Sequence, residues 1–267
     1  MSSNLLVELG RLFRLRNRVV EGVLHDVRQR YVGSVFGIAW AALFPLLQLG
    51  VYAGLYTFIF KVRPSGFEQS QYVILVFSGL VPLMAFNEAV TSATGSLTAN
   101  KNLLMNTVFP AELIPLRAAL AAQVPGLFGL TITMVAGFLF GYTGWQAIVL
   151  VPLFWLLLFM FAMGVGWLLS LLSLVARDIQ YGMGIVLMML MVLSPFAYTP
   201  EMVPSALKAI IYFNPMSYFV LCFQQAICYG HMPDLINVLG CLILASTSFF
   251  VGFALFQRAK RMFFDYV

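Results

Sequence analysis

The sequence predicts an all-α integral membrane fold: six transmembrane helices, an N-terminal amphipathic helix in the interface, and an outer re-entrant hairpin between the fifth and sixth spans. Three observations carry this expectation. Of 267 residues, 61% are hydrophobic and only 9% charged, whereas soluble domains carry about 25% charge. The uncharged runs 31–60, 69–87, 118–176, 179–200, 209–233 and 235–257 approach or exceed the roughly 20 apolar residues that one spanning helix needs. These runs are continuous rather than alternating with period two, which argues for helices and against a barrel.

From the N-terminus, residues 11–30 carry eight charges, each costing about 2.5–3.5 kcal/mol at the bilayer centre. They cannot span, and the charged stretch is too long for a signal peptide. Val20, Val23, Leu24, Val27 and Tyr31 recur at helical spacing opposite Arg18, Glu21, His25 and Arg28, the pattern of an amphipathic helix in the interface. A shorter one with Leu5, Leu9 and Leu12 precedes it. Spans are expected near 36–60, 69–92, 112–140, 146–174, 179–199 and 235–257, with GYTGW at 141–145 breaking the long run at the membrane edge. Small residues at Gly50 and Gly54, and at Ala162, Gly166 and Ser170, are spaced for close helix contact, within the chain or with a second copy.

Charge sets the orientation. With a cytoplasmic N-terminus, twelve basic residues fall inside, from Arg11 to Arg261, against Lys61, Arg63 and Lys208 outside, as the positive-inside rule requires. Treating 209–233 as a seventh span would export Arg258, Lys260 and Arg261. Its Asn214-Pro215 break and paired Gln224 and Gln225 suit a re-entrant segment whose backbone is satisfied by protein or water. The chain thus reads as one membrane domain over 1–267. Cytoplasmic helices cover 1–34, spans 35–257, an outer loop and re-entrant segment 200–233, and a cytoplasmic tail 258–267.

Several chemistries find no support. No lysine closes a phosphate loop, since Lys61, Lys101, Lys208 and Lys260 follow Phe, Asn, Leu and Ala. There is no GxSxG elbow, and Cys222, Cys228 and Cys241 form no CxxC or Cys/His cluster with His25 or His231, which favours small apolar packing roles over metal or disulfide chemistry. Glu88 alone is placed as an intramembrane acid, which keeps a proton-coupled secondary transporter as the alternative class. The cytoplasmic loop 98–110, TANKNLLMNTVFP, is polar yet carries Leu103, Leu104, Val108 and Phe109 beside Asn100, Lys101, Asn102 and Asn106. It can offer an apolar face to a soluble partner or touch lipid headgroups.

RQRYVGSVFGIAWAALFPL at 28–46, LVFSGLVPLMAFNEA at 75–89, NKNLLMNTVFPAELIPL at 100–116, ARDIQY at 176–181, SPFAYTPEMVP at 194–204, FNPMSYF at 213–219 and the terminal FFDYV together resemble the membrane subunits of type-2 ABC exporters that move polysaccharides, among them capsular polysaccharide, O-antigen and teichoic acid permeases. The resemblance covers nearly the whole chain. One departure is the Leu83, Met84, Ala85 run before Phe86, where the family often carries an aromatic pair.

The resemblance implies a homodimer joined to two copies of a separate ATP-binding cassette subunit, in a bacterial inner membrane with both termini cytoplasmic. ATP and Mg would be bound by that partner, with no cofactor, metal or catalytic residue in this chain and no nucleic acid as partner; periplasmic export proteins are admitted as further partners. It makes 98–110 the coupling helix, with Asn100, Leu103, Leu104, Val108 and Phe109 meeting the ATPase. Capsular polysaccharide on a lipid is the first expectation for the cargo, with O-antigen, teichoic acid or another lipid as the alternatives. Arg28, Arg30, Tyr31, Gly33 and Ser34 are then expected at the lipid headgroup, because arginine's fork binds phosphate bidentately and Gly33 and Ser34 let the chain bend into the first span. Trp40, Tyr52, Tyr56, Phe86, Tyr198, Tyr212, Phe213 and Tyr218 are the candidate channel aromatics, since sugar C–H faces stack on such rings.

Overall fold

The computed structural model describes residues 15–55, 66–100, 110–204 and 208–264. Helix α1 covers Arg16–Tyr31; a 3-10 turn at Gly37–Ala39 leads into α2, Trp40–Gly54; then follow α3, Gln69–Ala99, α4, Leu113–Leu139, α5, Ala147–Val175, and α6, Asp178–Leu193. A 3-10 turn at Pro200–Met202 precedes α7, Lys208–Phe213, α8, Pro215–Ile227, and α9, Leu235–Phe264. No strand occurs among the described residues. Five stretches, 37–54, α3, α4, α5 and α9, are long and apolar enough to span a membrane, and α6 is a shorter apolar helix.

The 118–176 run breaks where the sequence predicts: α4 ends at Leu139, Gly141 turns with φ +77°, and α5 begins at Ala147. The fifth span is shorter than expected. At 1.5 Å per residue, the 16 residues of α6 reach about 24 Å, because Ser194 precedes Pro195 and is driven to an extended backbone, ψ 141°. At the other end, α9 continues past the expected 257 to Phe264.

Helix α3 is the centre of the fold, packed against α4, α5 and α8, while α5 also carries α9. Apolar burial gains little against lipid, so such contacts rest on dispersion, close backbone approach and hydrogen bonds. A column of rings supplies the first: Phe86 of α3 stacks on Phe161 of α5 at 5.1 Å, and Phe161 on Phe219 of α8 at 5.6 Å. Trp167 of α5 lies 5.0 Å from Phe253 of α9. Glycine supplies the second, for a Cβ on Gly252 would overlap the Gly164 carbonyl and one on Gly164 the Ser248 backbone. The two predicted small-residue stripes part company. Ala162, Gly166 and Ser170 are buried inside the chain, with Gly166 against Ala93 of α3, whereas a Cβ added at Gly50 or Gly54 would meet nothing within 4 Å among the described residues.

The hairpin shows how a helix break is satisfied in a buried setting. Asn214 accepts from the Met216 amide at 2.9 Å as the α8 N-cap, and its own amide donates to Ser194 Oγ at 2.9 Å and Leu190 O at 3.1 Å. Pro215, lacking an N–H, fits the first turn. Gln224, 2% exposed, donates to the Pro195 carbonyl at 3.0 Å, occupying a carbonyl left free where α6 stops. The cysteines pack, as expected: all three are buried free thiols, with Cys222 of α8 against Cys241 of α9.

Polar ties gather at the two ends of this bundle. At one, Tyr142 donates to Glu68 at 2.8 Å and Thr143 to the Ile227 carbonyl at 2.7 Å. At the other, Asp26 of α1 pairs with Arg117 of α4 at 2.7 Å and Lys260 of α9 with Glu112 at 2.7 Å. The first and last described helices therefore meet the same end of α4.

Candidate functional site: a cavity at the α1–α2 junction

The sequence VRQRYVGSVFG folds as a helix end followed by a turn. Helix α1 stops at Tyr31, Gly33 adopts φ +81°, a conformation glycine takes without steric cost, and the Ser34 amide donates back to the Tyr31 carbonyl at 3.3 Å. This turn directs the chain into α2 and leaves a cavity of about 270 Å³ between α1, α2, α3 and α4. Trp40, Phe44 and Pro45 form one wall, with Arg30, Tyr31, Gln48 and Glu88 supplying the polar groups.

The two arginines do not converge. Two residues apart on a helix, they project about 200° from one another. Arg30 turns inward, donating to Ser92 Oγ at 2.8 Å and lying 3.7 Å from Glu88 Oε2. Arg28 is exposed and makes no hydrogen bond or ion pair among the described residues. Burial pushes the Tyr31 phenol above its ordinary range, with Arg30 opposing the shift and Glu88 adding to it, so the ring enters as a neutral donor. Helix α1 packs on the bundle by a narrow edge and leaves part of its apolar face open, where an interfacial helix meets lipid. Val19 and Val27 are buried while Val20 and Leu24 are more than half exposed, because Gly22 and Asp26 turn this helix toward Arg117 of α4.

The candidate channel aromatics are dispersed. Trp40 lines the cavity and meets Phe36 edge-on at 5.7 Å. Tyr52 is half-buried against Phe77 at 6.3 Å. Phe86 is corrected to a packing residue: it is 2% exposed within the ring column, stacked between helices rather than facing a cavity among the described residues. Tyr198 and Tyr218 are half-buried, donating to the Leu193 and Tyr212 carbonyls, each at 2.9 Å. Tyr212 and Phe213 project from α7, 56% and 88% exposed. Tyr212 edges a second cavity of about 380 Å³ with Lys208, Tyr229, His231, Asp234 and Asn237. Tyr56 lies outside the described residues.

Of the expected coupling residues, Asn100 caps α3, donating to the Ser96 carbonyl at 2.8 Å; Leu103, Leu104, Val108 and Phe109 fall outside the described residues. The anchors on either side of that segment are well tied. Before it, Ser173 of α5 donates to the Thr94 carbonyl at 2.7 Å and Gln180 of α6 to Thr98 at 2.9 Å. After it, Glu112, 1% exposed, pairs with Lys260, and its carbonyl accepts from the Trp167 indole at 3.1 Å. Sequence reading missed Glu112, Lys260 and Trp167 as a unit. An acid directly after a loop was the only local signal.

Long apolar helices around a buried core, with charged pairs at one end and a polar cavity opening at a helix junction, define a polytopic helical membrane protein. The chain belongs to the ABC-2 type transporter family, whose model matches residues 24–228. It is similar to an O-antigen export system permease protein RfbA of Klebsiella pneumoniae, 30% identical over 98% of both chains, and to that of Myxococcus xanthus, 23% identical over 94% of this chain and 96% of the relative. It is also similar to the polysialic acid transport protein KpsM of Escherichia coli, 22% identical over 93% of this chain and 96% of the relative.

Proposed function

We propose that this chain is the permease subunit of an ATP-driven exporter that moves a lipid-linked polysaccharide across the bacterial inner membrane. The observation that carries the reading is the family match together with relatives named for polysaccharide export over nearly their whole length. Relatives named for O-antigen export outnumber the one named for polysialic acid among those above and include the 30% identical one, which favours an O-antigen class of cargo over the capsular polysaccharide expected from sequence. Deleting the chain from its host should remove the surface polysaccharide and leave lipid-linked glycan inside, measured by extraction. Normal surface glycan in the deletion strain would reject this function.

In the mechanism, two copies of an ATP-binding cassette subunit receive residues 98–110 and hold ATP and Mg. Displacement of that segment reaches α5, α6 and α9 through Ser173, Gln180, Trp167 and Lys260. A second copy of the chain would lie against α2, whose Gly50 and Gly54 are open. The α1–α2 cavity receives the lipid phosphate on Arg30, and Tyr212 and Phe213 offer rings to the glycan. Because Arg30 faces the cavity and Arg28 does not, Arg30→Gln should abolish export while Arg28→Gln costs less than threefold, with insertion of both intact. Equal loss would return the role to bulk charge.

Orientation is tested by cysteine labelling, with the native thiols buried. Cysteine at Gln69 or Met232, both exposed, should react with an impermeant maleimide added to intact cells, and cysteine at Ala99 should not. External labelling at Ala99 would reverse the topology.

A further inference from the structure

The cavity at the α1–α2 junction poses a problem of selectivity. If its cation were bare, the phosphates of ordinary membrane lipids, present in great excess, would fill it. Arg30 is not bare: Glu88 stands 3.7 Å from one guanidinium nitrogen and Ser92 2.8 Å from another. Glu88 comes from the middle of α3 and is 60% exposed, so its carboxylate borders the cavity and remains accessible to what enters. The cavity thus carries one cation and one anion side by side. A bare lipid phosphate gains the attraction of Arg30 but meets the like charge of Glu88 a few ångströms away, which disfavours it.

A phosphate bearing a sugar fares differently. Once Arg30 turns to the phosphate, Glu88 is left needing donors, and adjacent ring hydroxyls supply them as charge-assisted hydrogen bonds. Trp40 and Tyr31 border the same cavity and offer faces for the sugar ring. Gln48 supplies both a donor and an acceptor. The volume of about 270 Å³ is at or below the lower end of ligand pockets, about 300–1,000 Å³, which suits one ring rather than an oligosaccharide. We infer that Glu88 is a specificity residue: with Arg30 it makes the α1–α2 cavity a site for a glycosylated lipid phosphate, accepting hydroxyls of the phosphate-proximal sugar and rejecting unglycosylated anionic lipids.

This inference rests on the headgroup reading proposed above, and its test separates the two. The full-length protein is placed in phosphatidylcholine nanodiscs doped with phosphatidylglucoside or with phosphatidylmethanol, which share a singly charged phosphodiester and differ only in the sugar. Bound lipid is counted by mass spectrometry after affinity capture. The native protein should prefer the glucoside about tenfold, a preference worth about 1.4 kcal/mol. Glu88→Gln and Glu88→Ala should both reduce this to under threefold, chiefly by gaining phosphatidylmethanol, while Arg30→Gln should lose both lipids.

An unchanged preference in both Glu88 variants overturns the inference and leaves the headgroup site standing if Arg30→Gln still loses both lipids. Retention of both lipids by Arg30→Gln overturns the headgroup site itself, and the inference with it. Excess glucose 1-phosphate distinguishes the source of the ligand. Failure to displace the glucoside supports a lipid, and full displacement overturns it in favour of a soluble sugar phosphate.

Discussion

Gly252→Ala is expected to abolish accumulation of folded protein, although it adds a single methyl group. A Cβ at this position overlaps the Gly164 carbonyl on α5, and a backbone atom, unlike a side chain, has no alternative rotamer to adopt. Overpacking that displaces side chains costs about 1–3 kcal/mol. Separating two backbones also loosens the Trp167–Phe253 contact beside them, so the cost should reach the upper end of that range or exceed it. Gly182→Ala is the control, with nothing within 4 Å of its added methyl and a gain in helix propensity of up to about 1 kcal/mol. Thermal unfolding followed by size-exclusion chromatography distinguishes them. A Gly252→Ala protein as stable as the parent would refute the close crossing of α5 and α9.

Lys260→Met is expected to destabilise the end of the bundle where α4 begins by about 3–5 kcal/mol, the usual cost of leaving one partner of a buried ion pair alone. Glu112 is 1% exposed and its carboxylate meets Lys260 Nζ at 2.7 Å; without the lysine, that charge has no cation among the described residues. The double variant Glu112→Gln with Lys260→Met should recover most of the loss, since removing both charges of a buried pair is often close to neutral. A double-mutant cycle on unfolding temperature measures this coupling. Additive losses would mean that the pair contributes nothing as a pair. If stability recovers in the double variant and export does not, the charge pair serves transmission from the 98–110 segment rather than folding.

The fold was legible in those features that depend on local composition. Uncharged runs located α2 to α6 and α9, GYTGW marked the α4–α5 turn, and Asn214-Pro215 marked the start of α8, because each signal reports a cost borne by the residues themselves: desolvation, positive φ or a missing N–H. The candidate site was legible in part. The chain pattern put Arg30, Tyr31 and Gly33 together, but treating Arg28 as the twin of Arg30 ignored the helical angle between them. Glu88 stood out as an acid within a span, yet its partner lies 58 positions away in sequence, where no local pattern reaches. Phe86 lay in a motif with a plausible sugar-facing role, and only the packing of α3 against α5 and α8 placed it in the interior.

By itself the sequence determined that this protein is helical and embedded in a membrane, since hydrocarbon penalises every exposed charge and every unpaired backbone group wherever it occurs in the chain. The tertiary structure alone decided which of two equivalent small-residue stripes packs inside the chain and which stays open, and which arginine enters the cavity. It likewise decided that Glu112 has Lys260 as its counter-ion. These outcomes turn on dispersion, close approach and charge pairing between helices remote in sequence, and such forces act over a few ångströms that only the folded chain brings together.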